Sequence, residues 1–444
     1  MLAKRVYPWG QETMFKAFRK LWNDKRGNAL IIFGASLPLI MGAAGLASDT
    51  IQWALWKREL QRAADSAAIA GVYAKVQSGS YDAAVTTDLA RNNDIADITV
   101  NKNVSSAPSA GAYTSDANAV RVTLSAKHQL SFSSMFMLAT PTISATATAT
   151  IVPAGDYCVV SLVNTGTTGI SVGGTTDVDL GCGMITNSTS MDAAVAFGNS
   201  TVHASPIAAV GGIDAADNWD DDTVLLPFTM AQADPFKNVN PPTPSGCQKF
   251  SDLDVGNNNK PGGVVDLSSQ TGIICIKENG GTPASLEIKG DVRLGKAIYV
   301  LDATSLKMTA TAAKLSCNGC TIILTSSSTA NPDSTIGGVD LSGGTANLVS
   351  PETGTYKGIS IYQDRRAATG ATNTISGNVG SSFEGAFYLP KQEVKFVGTS
   401  GVTFKCVQMV AWTVVFSGTS EVVNDCSGPG GGTTFAGQAV RLVE

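Results

Sequence analysis

Hydrophobic and polar positions divide the chain into three textures. The first apolar run, Gly27 to Ser48, has no charged residue in 22 positions. As a helix it would span about 33 Å, enough to cross a bilayer, and its mid-span Pro38 is tolerated there with a kink. Beyond Asp49 the helix is expected to continue without a breaker. Leu60, Ala63, Ala64, Ala67, Ala68 and Gly71 recur at helical spacing, and their small side chains suit a close approach by a helix or sheet. "DITVNKNV" (97–104), "AVRVTLSAKHQL" (119–130) and "TISATATATIV" (142–152) alternate as half-buried strands do, and "SFSSMFML" suits a short helix. Residues 49–155 therefore read as a small α/β module.

From about 156 the texture changes to short β-prone runs broken by glycine. One element recurs: "AFGNSTV" (196–202), "IKGDVRL" (288–294), "ISGNVGS" (375–381), "FVGTSGV" (396–402) and "FSGTSEV" (416–422). Gly377, Gly398 and Gly418 are 21 and 20 residues apart, a period that suits one coil of a parallel β-helix. The fold class expected is α+β followed by all-β, the region 156–444 being a parallel β-helix, with a β-sandwich as the alternative.

Charge then orients the chain. Residues 1–27 form a basic leader of net charge +5, against −10 for the remainder. Lys16, Arg19, Lys20, Lys25 and Arg26 precede the span, so the positive-inside rule places the leader in the cytoplasm and all that follows residues 28–48 outside the membrane. Trp53 and Trp56 stand where an interfacial aromatic belt belongs. A cleaved signal ending at Gly45-Leu46-Ala47 is the alternative, although the apolar run exceeds a usual signal core. No basic patch follows the leader, which speaks against nucleic-acid binding.

All eight cysteines follow residue 157. An even number confined to one region, with only His128 and His203 in the chain and neither beside a cysteine pair, points to disulfides rather than zinc. Pairing in order is expected: Cys158–Cys182, Cys247–Cys275, Cys317–Cys320 and Cys406–Cys426, because positions about one coil apart become neighbours in stacked coils. Within "CNGC" (317–320), Asn-Gly is turn chemistry, so a structural bridge is expected there rather than a redox pair.

Several phrases together carry a resemblance. Arg26-Gly27, Pro38, the Gly45 to Asp49 exit and the "LQRAADSAAIAG" helix (Leu60, Gln61, Ala63, Ala64 and Asp65 to Gly71) occur in the order found in TadG-like Flp pilus-assembly proteins. Two later phrases resemble elements of that family's exported regions. One is Cys182-x-x-x-x-Asn187-Ser188; the other contains Pro351, Gly354, Tyr356, Gly358, Asp364 and Arg365. The resemblance implies a single-pass inner-membrane protein with a periplasmic or surface-exposed bulk. It would act in pilus assembly, adhesion or biofilm formation without catalysis or a cofactor. Its partners would be the bilayer, other assembly proteins or pseudopilins, and an external surface or polysaccharide. Class III prepilins carry a Glu five residues after the cut; here a cut after Gly27 would place Ile32 there, so the leader is expected to be retained. A pilin-like module is an expectation from analogy alone.

Three places in the chain hold candidate chemistry. Asp364, Arg365 and Arg366, with Glu352 and Glu384 as partners, are the candidates for a β-helix polysaccharide lyase or hydrolase, the rival reading. A structural Asp364–Arg365 pair is preferred, since no second carboxylate stands at fixed spacing. The acidic run Asp214, Asp217, Asp220, Asp221 and Asp222 lacks the glycine of a calcium loop and reads as a solvated loop. His128 reads as a structural histidine in a strand. A structural envelope protein unrelated to pili is the third reading.

Overall fold

The computed structural model describes residues 16, 19–20, 28–77, 79–91, 100–111, 113–137, 139–378, 380–399, 402–419, 421–424 and 434–444. They form two compact units, Met1–Ile151 with Val440–Glu444, and Val152–Ala439. The division falls at Ile151/Val152, inside an unbroken strand, rather than at the expected 155/156.

In the first unit, α1 (Asn28–Val76) is one continuous helix of 49 residues with Pro38 inside it. Its charge-free part exposes Ile31, Ile32, Phe33 and Leu39. Its later part buries Leu60, Ala64, Ala67, Ala68 and Val72 against an antiparallel sheet. That sheet comprises β1 (Val100–Ser106), β2 (Val120–Lys127) and β3 (Thr142–Ser161). Alternation turns Val120, Val122, Leu124 and Ala126, with Ala145, Ala147 and Ala149, toward the helix. A Cβ on Gly71 would lie 2.9 Å from the Val120 side chain. The small-residue face therefore serves the sheet. A second helix, α2 (Tyr81–Arg91), adds Val85 to this core. "SFSSMFML" makes only a 3-10 turn at Ser133–Met135. Residues 97–99 of the expected first strand lie outside the described residues.

The second unit is a stack of coils, each contributing strands to three parallel sheets, a β-helix rather than a sandwich. In one sheet Val264–Leu267, Asp291–Leu294, Lys314–Asn318 and Thr345–Val349 follow one another in register. The second begins with Gly272–Ile276, Ala297–Asp302, Thr321–Thr325 and Ile359–Gln363. The third begins with Ala284–Glu287, Thr304–Lys307, Val339–Leu341 and Thr372–Gly377. The long strands Ser382–Thr399 and Val402–Thr419 then run through all three sheets.

The last of these coils stacks on the first coil of the unit. Met409 pairs with Val159, Val414 with Ile170, and Val422 with Val178, all parallel. From there the stack continues through Gly183–Thr186 and Ile207–Ala209 to Leu225–Leu226. The chain thus enters the β-helix mid-stack, winds to one end, crosses to the other end, and winds back to its own start. Gly377, Gly398 and Gly418 lie in register, and Gly174 and Gly198 continue the ladder across the join. A Cβ on Gly174 would sit 2.8 Å from the Gly418 carbonyl oxygen, and one on Gly198 the same distance from that of Gly174. Both have positive φ, so glycine is required twice over.

The interior carries a ladder of rings. Phe404 lies 5.7 Å from Phe383 and 5.1 Å from Phe396, and Phe396 lies 6.3 Å from Phe416. Three bridges staple the stack: Cys158–Cys182, Cys247–Cys275 and Cys317–Cys320, in the expected order. Cys406 is also disulfide-bonded; Cys426, its expected partner, lies outside the described residues.

Candidate functional site

Thr321–Thr325 and Ile359–Gln363 are buried at every position. A strand buried on one side only would alternate, so something covers the outer face of this sheet. That cover is the crossing segment 227–247, which carries Pro227, Pro235, Pro241, Pro242 and Pro244. Proline pre-sets an extended backbone and lowers the entropy lost on laying it down. Phe236 and Val239 pack on an outer layer that includes Tyr356, Ile359, Tyr362 and Tyr388.

The family-like phrases provide the clamps for this strap. Arg365 Nη1 donates to the carbonyls of Phe236 (3.0 Å) and Val239 (2.8 Å), and Nη2 to Asn240 Oδ1 (2.6 Å). The hydroxyls of Tyr356, Tyr362 and Tyr388 donate to the Asn240 carbonyl, the Val239 carbonyl and Asp234 Oδ2, at 2.6, 2.7 and 2.7 Å. Burial raises the pKa of Tyr362 and Tyr388, keeping both phenols protonated as donors. Near the opposite end of the stack, Asn187 exchanges two hydrogen bonds with the backbone of Gln232 (2.8 and 2.7 Å). Cys247–Cys275 closes the strap's far end.

Asp364 does not pair with Arg365. It accepts from Arg366 Nε (3.0 Å), Arg366 Nη2 (2.7 Å), the Arg366 backbone N–H (3.0 Å) and Thr325 Oγ1 (2.8 Å). The expected partner is corrected by one residue, because neighbouring side chains leave the end of a strand on opposite sides. Arg365 reaches out to the strap while Arg366 folds back over the buried carboxylate. Burial alone would push the Asp364 carboxyl up; the bonds from Arg366 and Thr325 outweigh it and hold it below the ordinary carboxylate range. A carboxylate held in this way is a poor general acid. Glu352 lines a separate open cleft of about 370 Å³ with Lys296, Asn318 and Tyr356. Glu384 lies in the strand Ser382–Thr399, where its carbonyl accepts from Ser360 Oγ.

The acidic run is a solvated loop, with Asp214, Asp217, Asp220, Asp221 and Asp222 all exposed, and it meets the stack through Asp220 and the backbone of Asp214. Asp220 Oδ2 lies 2.8 Å from His203 Nδ1, Asp177 Oδ1 lies 3.7 Å from its Nε2, and the Asp214 carbonyl accepts from Trp219 Nε1. The Asp220 hydrogen bond, helped by the charges of Asp177 and Asp179, raises the His203 pKa above 6.5. A raised pKa means that the pair's stabilisation is full below 6.5 and is lost as pH rises through the folded value. The pair is half-exposed, so the effect on stability is small. An NMR titration of His203 is expected to show the raised value, and Asp220→Asn to lower it; an unchanged midpoint would contradict the pairing. His128 is seated edge-on against Trp56, with ring centroids 4.3 Å apart.

In the N-terminal module, Leu60 and Ala64 are core residues. Gln61 Nε2 donates to Asp65 Oδ1 (2.8 Å) and to the Thr146 carbonyl (3.0 Å), tying helix to sheet, and Ala63 packs at the edge of the same core. Asp49 is buried and accepts hydrogen bonds from Phe132 and Ser133. Arg26 and Gly27 lie outside the described residues. Sequence reasoning missed the strap; its proline content and the runs "TIIL" and "ISIY", which carry no charge and break the alternation of a half-buried strand, were the available signals.

Residues 27–77 match the family model described as Flp pilus-assembly TadE/G-like. The match covers the charge-free helix and the helix–sheet face just described, and relates the protein to Flp pilus assembly. One helix among the described residues, near the N-terminus, is long and apolar enough to cross a membrane, and it fits a single anchor. No curated protein and no solved structure matches the chain.

Proposed function

We propose that this is a bitopic inner-membrane protein with its leader in the cytoplasm and its β-helix in the periplasm or at the cell surface. It serves Flp/Tad pilus assembly and, through it, adhesion and biofilm formation. The observation that carries this reading is the family match over residues 27–77, which coincides with the charge-free helix and its sheet-packing continuation. The partners proposed are pseudopilins or other assembly proteins held through the first unit, with an external surface or polysaccharide met by the β-helix. The role is proposed to be non-catalytic, because the Asp364 carboxylate is occupied by structural donors.

Deleting the gene in its host is expected to reduce surface pili and attachment, with recovery on complementation; normal piliation in the deletion strain would refute the reading. Polysaccharide cleavage by the purified full chain that disappears in Asp364→Asn would refute the non-catalytic part alone.

A further inference from the structure

The turn between β2 and β3 carries no charged residue from His128 to Pro141. Its tip is openly apolar: Met135 and Phe136 are 77% and 74% exposed, and Met137 is also exposed. A soluble surface seldom presents three such neighbours, and an exposed apolar cluster marks a surface with an occupant.

Where the turn sits identifies that occupant. The Asp49 carboxylate accepts from the Phe132 backbone N–H (3.2 and 3.1 Å), the Ser133 backbone N–H and the Ser133 hydroxyl (2.6 Å). It thereby clamps the start of the 3-10 turn to α1. The Phe132 ring then lies along the helix toward its N-terminus. A Cβ on Gly45 would be 2.4 Å from ring atoms Cγ and Cδ2, and the nearest atom to a Cβ on Gly42 is Cζ, at 4.0 Å. Phe132 thus points from the exit of the charge-free run back into it, covering roughly 10 Å of helix between Asp49 and Gly42 at 1.5 Å per residue. Phe136 packs on Phe132, with centroids 5.4 Å apart. Gly45 is needed because any side chain there would displace the ring, and Asp49 because it accepts the turn's free N–H groups.

We propose that the Phe132–Met137 turn is a second membrane-contacting element, which inserts into the leaflet nearest Asp49 with Met135, Phe136 and Met137 among lipid acyl chains. The proposal rests on reading α1 as a membrane anchor. The turn makes the first unit a two-point attachment, which resists rotation about the helix axis as a lone span does not. Continuity with the exposed apolar flank of the span favours lipid over a protein partner as the occupant.

Depth-dependent fluorescence quenching tests it in the full-length protein reconstituted into phosphatidylcholine vesicles. Phe136→Cys, Leu39→Cys and Ser115→Cys are each labelled with an environment-sensitive dye, with no free cysteine among the described residues. Nitroxide placed high on the acyl chain is expected to quench position 136 with a blue-shifted emission, and deep nitroxide to quench position 39. Position 115, an exposed turn of the same unit, should stay unquenched. Quenching at 39 but not at 136 would overturn the insertion and leave the anchor standing; no quenching at either would remove the anchor and the proposal with it. In Gly45→Leu, quenching at 136 is expected to be lost while that at 39 persists. Unchanged quenching at 136 there would overturn the clamped geometry.

Discussion

Arg365→Ala is expected to free the strap from the β-helix. The guanidinium is shared among two carbonyls and an amide oxygen of residues 236–240, and hydrogen bonds to a charged group contribute about 1.5–3 kcal/mol net, the exchange with water included. A loss of roughly 2–4 kcal/mol in unfolding free energy is expected. The more diagnostic result is local. Residues 227–247 should become sensitive to a protease that leaves the wild type intact, and the uncovered Tyr356–Tyr362–Tyr388 layer should bind a hydrophobic dye. Arg366→Ala, which leaves the strap's bonds in place, should not open the strap. Equal protease resistance in Arg365→Ala and wild type would contradict the clamp.

Phe404→Ala is expected to be the costliest single truncation. Phe404 is 1% exposed, stands between Phe383 and Phe396, and belongs to the coil on which the chain's beginning stacks. Truncating a buried phenylalanine costs about 3–5 kcal/mol, part transfer and part cavity. Because the adjoining coil comes from residues 157–179, loosening here should separate the two halves of the stack before either unwinds. Denaturant titration gives the magnitude, and hydrogen exchange at Val159 and Met409 gives the place. Exchange that rises first at Val264–Leu267, at the far end, would contradict this account.

Local patterns made much of the architecture readable. Alternation within 119–130 and 142–152 is a property of single strands, and the glycine period at 377, 398 and 418 belongs to consecutive coils. Sequential cysteine pairing follows from the same stacking. What escaped was long-range. Gly173-Gly174 occupies the same ladder as Gly418, but the two are joined across more than half the chain, where no period can be read. Asp364 and Arg365 are adjacent in sequence, and adjacency says nothing about which side of the stack each faces. The short phrases shared with the TadG-like resemblance were legible as motifs, yet their work of holding a strap depended on where residues 232–240 came to lie. Gly45 and Asp49 were likewise visible as a spacing, and only the position of Phe132 and Ser133 gave that spacing a physical reason.

The mid-stack entry of the chain imposes an order on biosynthesis. Val159–Ser161 cannot gain its partner on one side until Met409–Ala411 has been made. The first-synthesised coils therefore wait with one edge unpaired while the rest of the protein is completed. Closing so long a loop is slow, and a bare strand edge in the interval is a template for any other chain carrying one. A polypeptide arrested before residue 402 would present such edges on both of its partial stacks. Chaperone demand should thus peak late in synthesis, and premature termination near the C-terminus should be as damaging as loss of a whole domain.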